Sequence, residues 1–193
     1  LDWASVDRGD LATDALDAAA ENWRYHGHST PAEAGERLAE ATIAVANKPP
    51  LGAEVMDRAP HLGLIVIAAT GTNNVDLAAA RARGIQVANA VGYATPSVVQ
   101  HVFALLLGLA THLREYDRAV VEGRWSAAQH FCLLEHPVQE LAGRRLGIAG
   151  YGELGSNVAR VAEAFGLEVA VAALPGRASG PDRVPFPELL PQV

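Results

Sequence analysis

The spacing of apolar residues changes period several times along the chain. Two continuous apolar runs, "ATIAVAN" (41–47) and "HLGLIVIAAT" (61–70), predict short strands buried on both faces, the form strands take in a parallel sheet. "IQVANA" (85–90) reads as the next strand. A further strand is expected over "NWRYHG" (22–27), and "LDWASVD" at the start reads as the tail of a strand already under way. Helical spacing fills the gaps between the runs. "STPAEAGERLAE" carries a helix start, with Thr30 as N-cap, Pro31 at the first helical position and Glu33 closing a capping box. "LGAEVMDRA" predicts a short helix, and "NNVDLAAARARG" predicts one capped near Asn74 and ended by Gly84. The alternation is βαβαβ, which gives a parallel α/β sheet.

From Pro96 the pattern changes. Residues 96–122 predict one long helix, apolar nearly all round in its first half and charged in its second. A helix apolar on every face packs on both sides, so a domain boundary is expected near Thr95, giving domains 1–95 and 96–193. An irregular stretch, "WSAAQHFCLLEHPVQELAG" (125–143), precedes a strand at "RRLGIAG" that opens a second α/β unit. Pro and Gly cluster in "LPGRASGPDRVPFPELLP" near the end.

Composition narrows the classes. Half of the 193 residues are hydrophobic and 19% are charged, enough apolar surface for a substantial core. A net charge of −7 with no Lys/Arg block argues against a nucleic-acid partner. The strongest apolar stretch, Val102 to Ala110, falls short of the roughly 20 residues a membrane helix needs. With no leader pattern and a single cysteine, Cys132, the expectation is a cytoplasmic protein whose cysteine is a small buried apolar residue. The pairs His26/His28 and His130/His136 lack metal-ligand spacing, so no metal is expected.

The chemistry concentrates in "GIAGYGELGSNVAR" (147–160), which holds G-x-G-x-x-G between a strand and a helix. In that context Gly150 allows the tight turn, Gly152 lets the backbone approach a pyrophosphate, and Gly155 lets helix and strand pack closely. The amides of Glu153 and Leu154 would point at the phosphates with the helix dipole behind them. Leu154, Val158, Val161, Ala162 and Phe165 form the helix's apolar face, Gly166 ends it, and "LEVAVAA" is the second strand. An NAD site places a carboxylate at that strand's tip. Here the tip is Ala173, with Arg177 following, so the cofactor is NAD or NADP, and Arg177 is either a 2′-phosphate partner or a solvated loop residue. An adenosylmethionine site also uses a glycine-rich turn, but it leaves residues 1–130 unexplained.

The chain also resembles the D-isomer-specific 2-hydroxyacid dehydrogenases, nearest the branch that interconverts glycerate and hydroxypyruvate. The matching stretches are "NKPPL" (47–51), "AATGTNNVDLAAARARGI" (68–85), "NAVGYATPSVVQHVFALLL" (89–107), "HFCLLEHPVQELAGRRLGIAGYGELG" (130–155) and "RVPFPELL" (183–190). The resemblance implies two doubly wound parallel-sheet domains, a flavodoxin-like substrate domain and a partial Rossmann NAD(P)-binding domain. It implies a homodimer that reduces a small 2-keto acid to its 2-hydroxy acid. By position, Lys48, Thr70 and Gly71 match substrate-binding residues. Thr95 begins the segment that approaches the nicotinamide, and Gly150, Gly152, Glu153, Leu154 and Gly155 match the pyrophosphate loop. His101 matches a structural position. The family's catalytic Arg, Glu and His have no counterpart in residues 1–193, so the sequence is expected to be part of a longer enzyme. A truncated nucleotide-binding or dimerisation module is the alternative.

Overall fold

The computed structural model describes residues 1–176, 180 and 182–193. The chain divides into two units, Leu1–Gly92 and Tyr93–Val193. In the first, a 3₁₀ turn (Trp3–Ser5) is followed by α1 (Asp14–Asp17), α2 (Pro31–Arg37) and β1 (Ile43–Ala46). Then come α3 (Ala53–Asp57), β2 (Leu64–Ile67), α4 (Leu77–Ala82) and β3 (Gln86–Asn89). The strands form one parallel sheet in the order β1-β2-β3, with Ile43 opposite Leu64 and Leu64 opposite Gln86. Ile65, Ile67 and Leu51 lie at the centre of its core, essentially without solvent contact.

α2 starts as its sequence requires: Glu33 N–H donates to Thr30 Oγ1 at 3.3 Å, and Thr30 N–H donates to the Glu33 carboxylate at 2.8 Å. α4 differs from expectation. Its cap is Asp76, whose carboxylate accepts the Ala79 N–H at 2.9 Å, because the Asn74 carboxamide is committed to carbonyls of another loop. Residues 22–27 form no strand. Two bonds tie them to the N-terminal turn, Trp3 N–H to His26 O at 2.8 Å and Ala4 N–H to Gly27 O at 3.2 Å. Nor is "LDWASVD" a strand tail. The Asp2 carboxylate accepts the Ser5 hydroxyl at 2.8 Å, which folds the chain into a 3₁₀ turn after one pairing bond from the Leu1 amine to Val45 O.

The second unit holds α5 (Thr95–Ala110), α6 (Leu113–Val121), α7 (Arg124–Ala127), β4 (Arg145–Ile148), α8 (Glu153–Ala164) and β5 (Glu168–Ala173). It ends with β6 (Arg183–Pro185), α9 (Phe186–Leu189) and a 3₁₀ turn (Leu190–Gln192). Its parallel sheet has the order β4-β5-β6. Val99 and Phe103 of α5 pack with Ala162 and Leu167, and Phe103 stacks on Phe165 at 5.4 Å.

Two expectations fail here. The single helix over 96–122 is two helices at 64°, broken at His112, which adopts a left-handed φ of +50°. Thr111 bonds back to Leu107 O through both its amide and its hydroxyl, closing α5. The His112 ring then stacks on His136 at 5.4 Å. Within this unit one face of α5 meets α8, while Leu105 and Leu109 are 56% and 77% exposed. β6 and α9 were hidden in the Pro/Gly-rich tail. A three-residue strand has no pattern of its own and exists through its pairing with β5. Cys132 is half-buried rather than buried. Among the described residues no single helix is long and apolar enough to cross a membrane.

Candidate functional site

β4 ends at the buried Ile148 and the chain turns at once. Gly150 takes φ +108°, a conformation that only glycine adopts freely. A Cβ on Gly155 would lie 2.0 Å from the Gly150 carbonyl oxygen, so the absence of a side chain there is what lets α8 start against the strand. Gly152 is the N-cap of α8, and a Cβ there would meet nothing within 4 Å. The helix's first bond runs from Ser156 N–H to Gly152 O at 2.9 Å. The N–H groups of Glu153, Leu154 and Gly155 precede that bond, and no side chain caps them. The Glu153 carboxylate accepts the Thr95 hydroxyl at 2.6 Å, which ties the start of α5 to this loop.

These residues fit a dinucleotide. A twelve-residue helix presents uncapped amides and its positive end, and Gly152 leaves open space for a phosphate to reach the backbone. The expected apolar face of α8 is only partly inward. Ala159 and Ala162 are buried and Val158 and Val161 half-buried, but Leu154 stands 45% exposed, since the first turn lies clear of the sheet. β5 ends at Ala173 with no carboxylate at its tip. Arg177 lies outside the described residues.

In the first unit, Thr70 and Gly71 follow the end of β2, both exposed. The Thr70 hydroxyl donates to Ala90 O at 2.9 Å, and the Asn89 carboxamide donates to Thr70 O at 2.7 Å, so the loop is pinned to the end of β3. Lys48 is exposed just past the end of β1. All three therefore sit at the carboxyl ends of parallel strands, where ligands of open α/β sheets bind. A cavity of about 900 Å³ in this unit includes none of them. It runs along Ile43 and Val45 of β1 beneath Trp3, Trp23 and Tyr25. His101 and His130 are exposed, and among the described residues no group of His, Cys, Asp or Glu could hold a metal ion. Asp2 and Asn74, neither of which was read from the sequence as part of a site, contact the loop that carries Lys48. The sequence marks Asn74 as a helix cap, and no spacing signal marks Asp2.

The profile of the family described as "D-isomer specific 2-hydroxyacid dehydrogenase, catalytic domain" matches residues 6–173. The chain belongs to that family. It is 40% identical over 166 residues to the glycerate dehydrogenase of Methylorubrum extorquens, covering 82% of this chain and 53% of that protein. It is 36% identical over 171 residues to the hydroxypyruvate reductase of Blautia hydrogenotrophica, covering 88% and 53%. Among solved structures, the D-lactate dehydrogenase of Aquifex aeolicus, crystallised with NAD and lactic acid, superposes with a TM-score of 0.63 at 28% identity, over 74% of this chain and 42% of that one. The chain spans about half the length of the curated relatives it matches.

Proposed function

We propose that the protein is an NAD(P)-dependent 2-hydroxyacid dehydrogenase that interconverts D-glycerate and hydroxypyruvate, and reduces glyoxylate. The observation that carries this is the loop Gly150–Gly155, with its open approach at Gly152 and its uncapped amides at the start of α8. The amides of Glu153, Leu154 and Gly155 hold the pyrophosphate, and the dipole of α8 adds to the attraction. When bound, the nicotinamide supplies or accepts the hydride. The consecutive amides of the Thr70–Gly71 loop bind the substrate carboxylate as an anion nest, and the Lys48 ammonium offsets its charge. Orienting this end of the substrate sets which face of C2 meets the nicotinamide. The groups that bind the keto oxygen and move the proton are not assigned among residues 1–193.

With Ala173 where a ribose-binding carboxylate belongs, and Arg177 beyond it, NADP is the preferred dinucleotide. The assembly is a cytoplasmic homodimer. Leu109 and Val121, with Phe131 and Leu134 of the following loop, are 77–93% exposed and offer apolar surface for a second copy. Steady-state oxidation of NADPH and NADH by the purified protein, with hydroxypyruvate, glyoxylate and pyruvate in turn, tests the substrate class. The first two should react faster, and equal kcat/KM for all three would overturn the assignment.

A further inference from the structure

The Lys48 and Thr70–Gly71 loops follow different strands, yet a single polar network holds both. Asp2 is a carboxylate only 5% exposed. It accepts the consecutive amides of Asn47 at 2.8 Å and Lys48 at 2.9 Å, and the Ser5 hydroxyl at 2.8 Å. Ser5 in turn accepts the Asn47 carboxamide at 3.0 Å. From the other side, the Asn74 carboxamide donates to Pro49 O at 3.1 Å and to Asn47 O at 3.4 Å. The Asn74 carbonyl accepts the Leu51 N–H at 2.7 Å, and Leu51 O accepts the Asp76 N–H at 3.0 Å. Asn74 belongs to the turn that begins at Thr70 and Gly71, in which Val75 N–H donates to Thr72 O at 3.0 Å.

A buried carboxylate that accepts amides from successive residues fixes the direction in which the backbone leaves the strand, because neither amide can turn away without stranding a buried charge. The side chain set by that direction belongs to Lys48, the single lysine in the sequence. We propose that Asp2 and Asn74 are positioning residues, which lock the Lys48 loop to the Thr70–Gly71 loop so that ammonium and amides converge on one anion. The proposal rests on the assignment of Lys48, Thr70 and Gly71 to the substrate carboxylate. It adds that neither loop is correctly placed without the other.

Reductive methylation with ¹³C-formaldehyde labels lysine amines without removing their charge, and the signal that a Lys48→Arg variant lacks is the Lys48 reporter. Titration with oxamate, a 2-keto-acid isostere, should shift that signal saturably. Asp2→Asn puts an NH₂ group against an amide donor, and Asn74→Asp sets an oxygen against two carbonyls. Each should weaken oxamate at least five-fold while NADPH binds as in the parent. Oxamate constants within two-fold of the parent in both variants would overturn the proposal alone. A parent Lys48 signal that ignores oxamate would instead remove the carboxylate assignment, and the proposal with it. Should both variants fail to fold, hydrogen exchange on the parent decides. The Asn47 and Lys48 amides should exchange far more slowly than those of an open loop, and rapid exchange at both would refute the lock.

Discussion

Gly152 and Gly155 stand three residues apart, yet adding one methyl group to each should have opposite consequences. At Gly155 the new Cβ would sit 2.0 Å from the Gly150 carbonyl oxygen and 3.2 Å from Ile148 Cγ2. Ordinary contact begins near 3.4 Å, so strand end and helix must part by more than 1 Å. The obstacle is backbone, which cannot rotate aside, so the cost lies at the upper end of overpacking, about 3 kcal/mol. For a chain of this size that is a fall in Tm of about 6–12 °C. At Gly152 the Cβ enters open space and the backbone φ of −91° suits any residue. Stability should therefore hold or rise by about 0.5 kcal/mol through a less flexible unfolded chain. What Gly152→Ala loses is the approach of a phosphate to the amides. Charge-assisted hydrogen bonds worth about 1.5–3 kcal/mol are given up, a loss of about ten- to a hundred-fold in affinity. Thermal melts by circular dichroism and NADPH fluorescence titrations on both variants measure the two effects separately. A Gly155→Ala protein that melts within 2 °C (about 1 kcal/mol or less) of the parent, or a Gly152→Ala protein that binds NADPH as the parent does, would mean that the two glycines do not have these separate roles.

Four further outcomes are expected. Arg177→Asp should move the kcat/KM ratio from NADPH toward NADH, and an unchanged ratio would return Arg177 to a solvated loop. The Thr30 amide and hydroxyl hold the Glu33 carboxyl below its ordinary value of 4.5. A carboxyl depressed by folding stabilises the fold above that ordinary value and loses the contribution as pH falls through the depressed one. The gap in Tm between the parent and Glu33→Gln should therefore be full at pH 7 and shrink as the pH falls below 4.5, and a gap that does not change with pH would contradict this. His112→Val puts a β-branched residue at a left-handed φ and should cost about 1–3 kcal/mol, with His112→Asn milder; equal melting of the two would show no strain at the break. Leu109→Glu with Phe131→Glu should halve the mass measured by sedimentation equilibrium, and an unaltered mass would place the dimer interface elsewhere.

The legible parts of the fold were those whose signal is local. The runs at 41–47 and 61–70 are mostly apolar, and 85–90 directly follows a helix ended by Gly84, so their strands could be read without knowing their partners. The capping box of Thr30 and Glu33 lies within four residues. The glycine loop was readable because its three constraints, a positive φ, an open approach and a close contact, each exclude side chains at a fixed spacing. What escaped depends on distant residues. The break at His112 is completed by a ring stack on His136, and β6 is made by β5. Asn74 looked like a helix cap because asparagine caps helices well, but its carboxamide found carbonyls 25 and 27 residues away. Asp2 showed no pattern at all, since its meaning comes from a loop 45 residues further along the chain.

Hydride transfer to C2 of a keto acid can be followed by the isotope that the dinucleotide carries. The protein would be incubated with hydroxypyruvate and NADPH, or NADH, carrying deuterium at both C4 positions of the dihydronicotinamide, and the glycerate resolved by chiral chromatography and weighed by mass spectrometry. D-glycerate with one deuterium at C2 is expected for each dinucleotide oxidised. Glycerate without deuterium at C2, the L isomer, or no glycerate from either dinucleotide would contradict it.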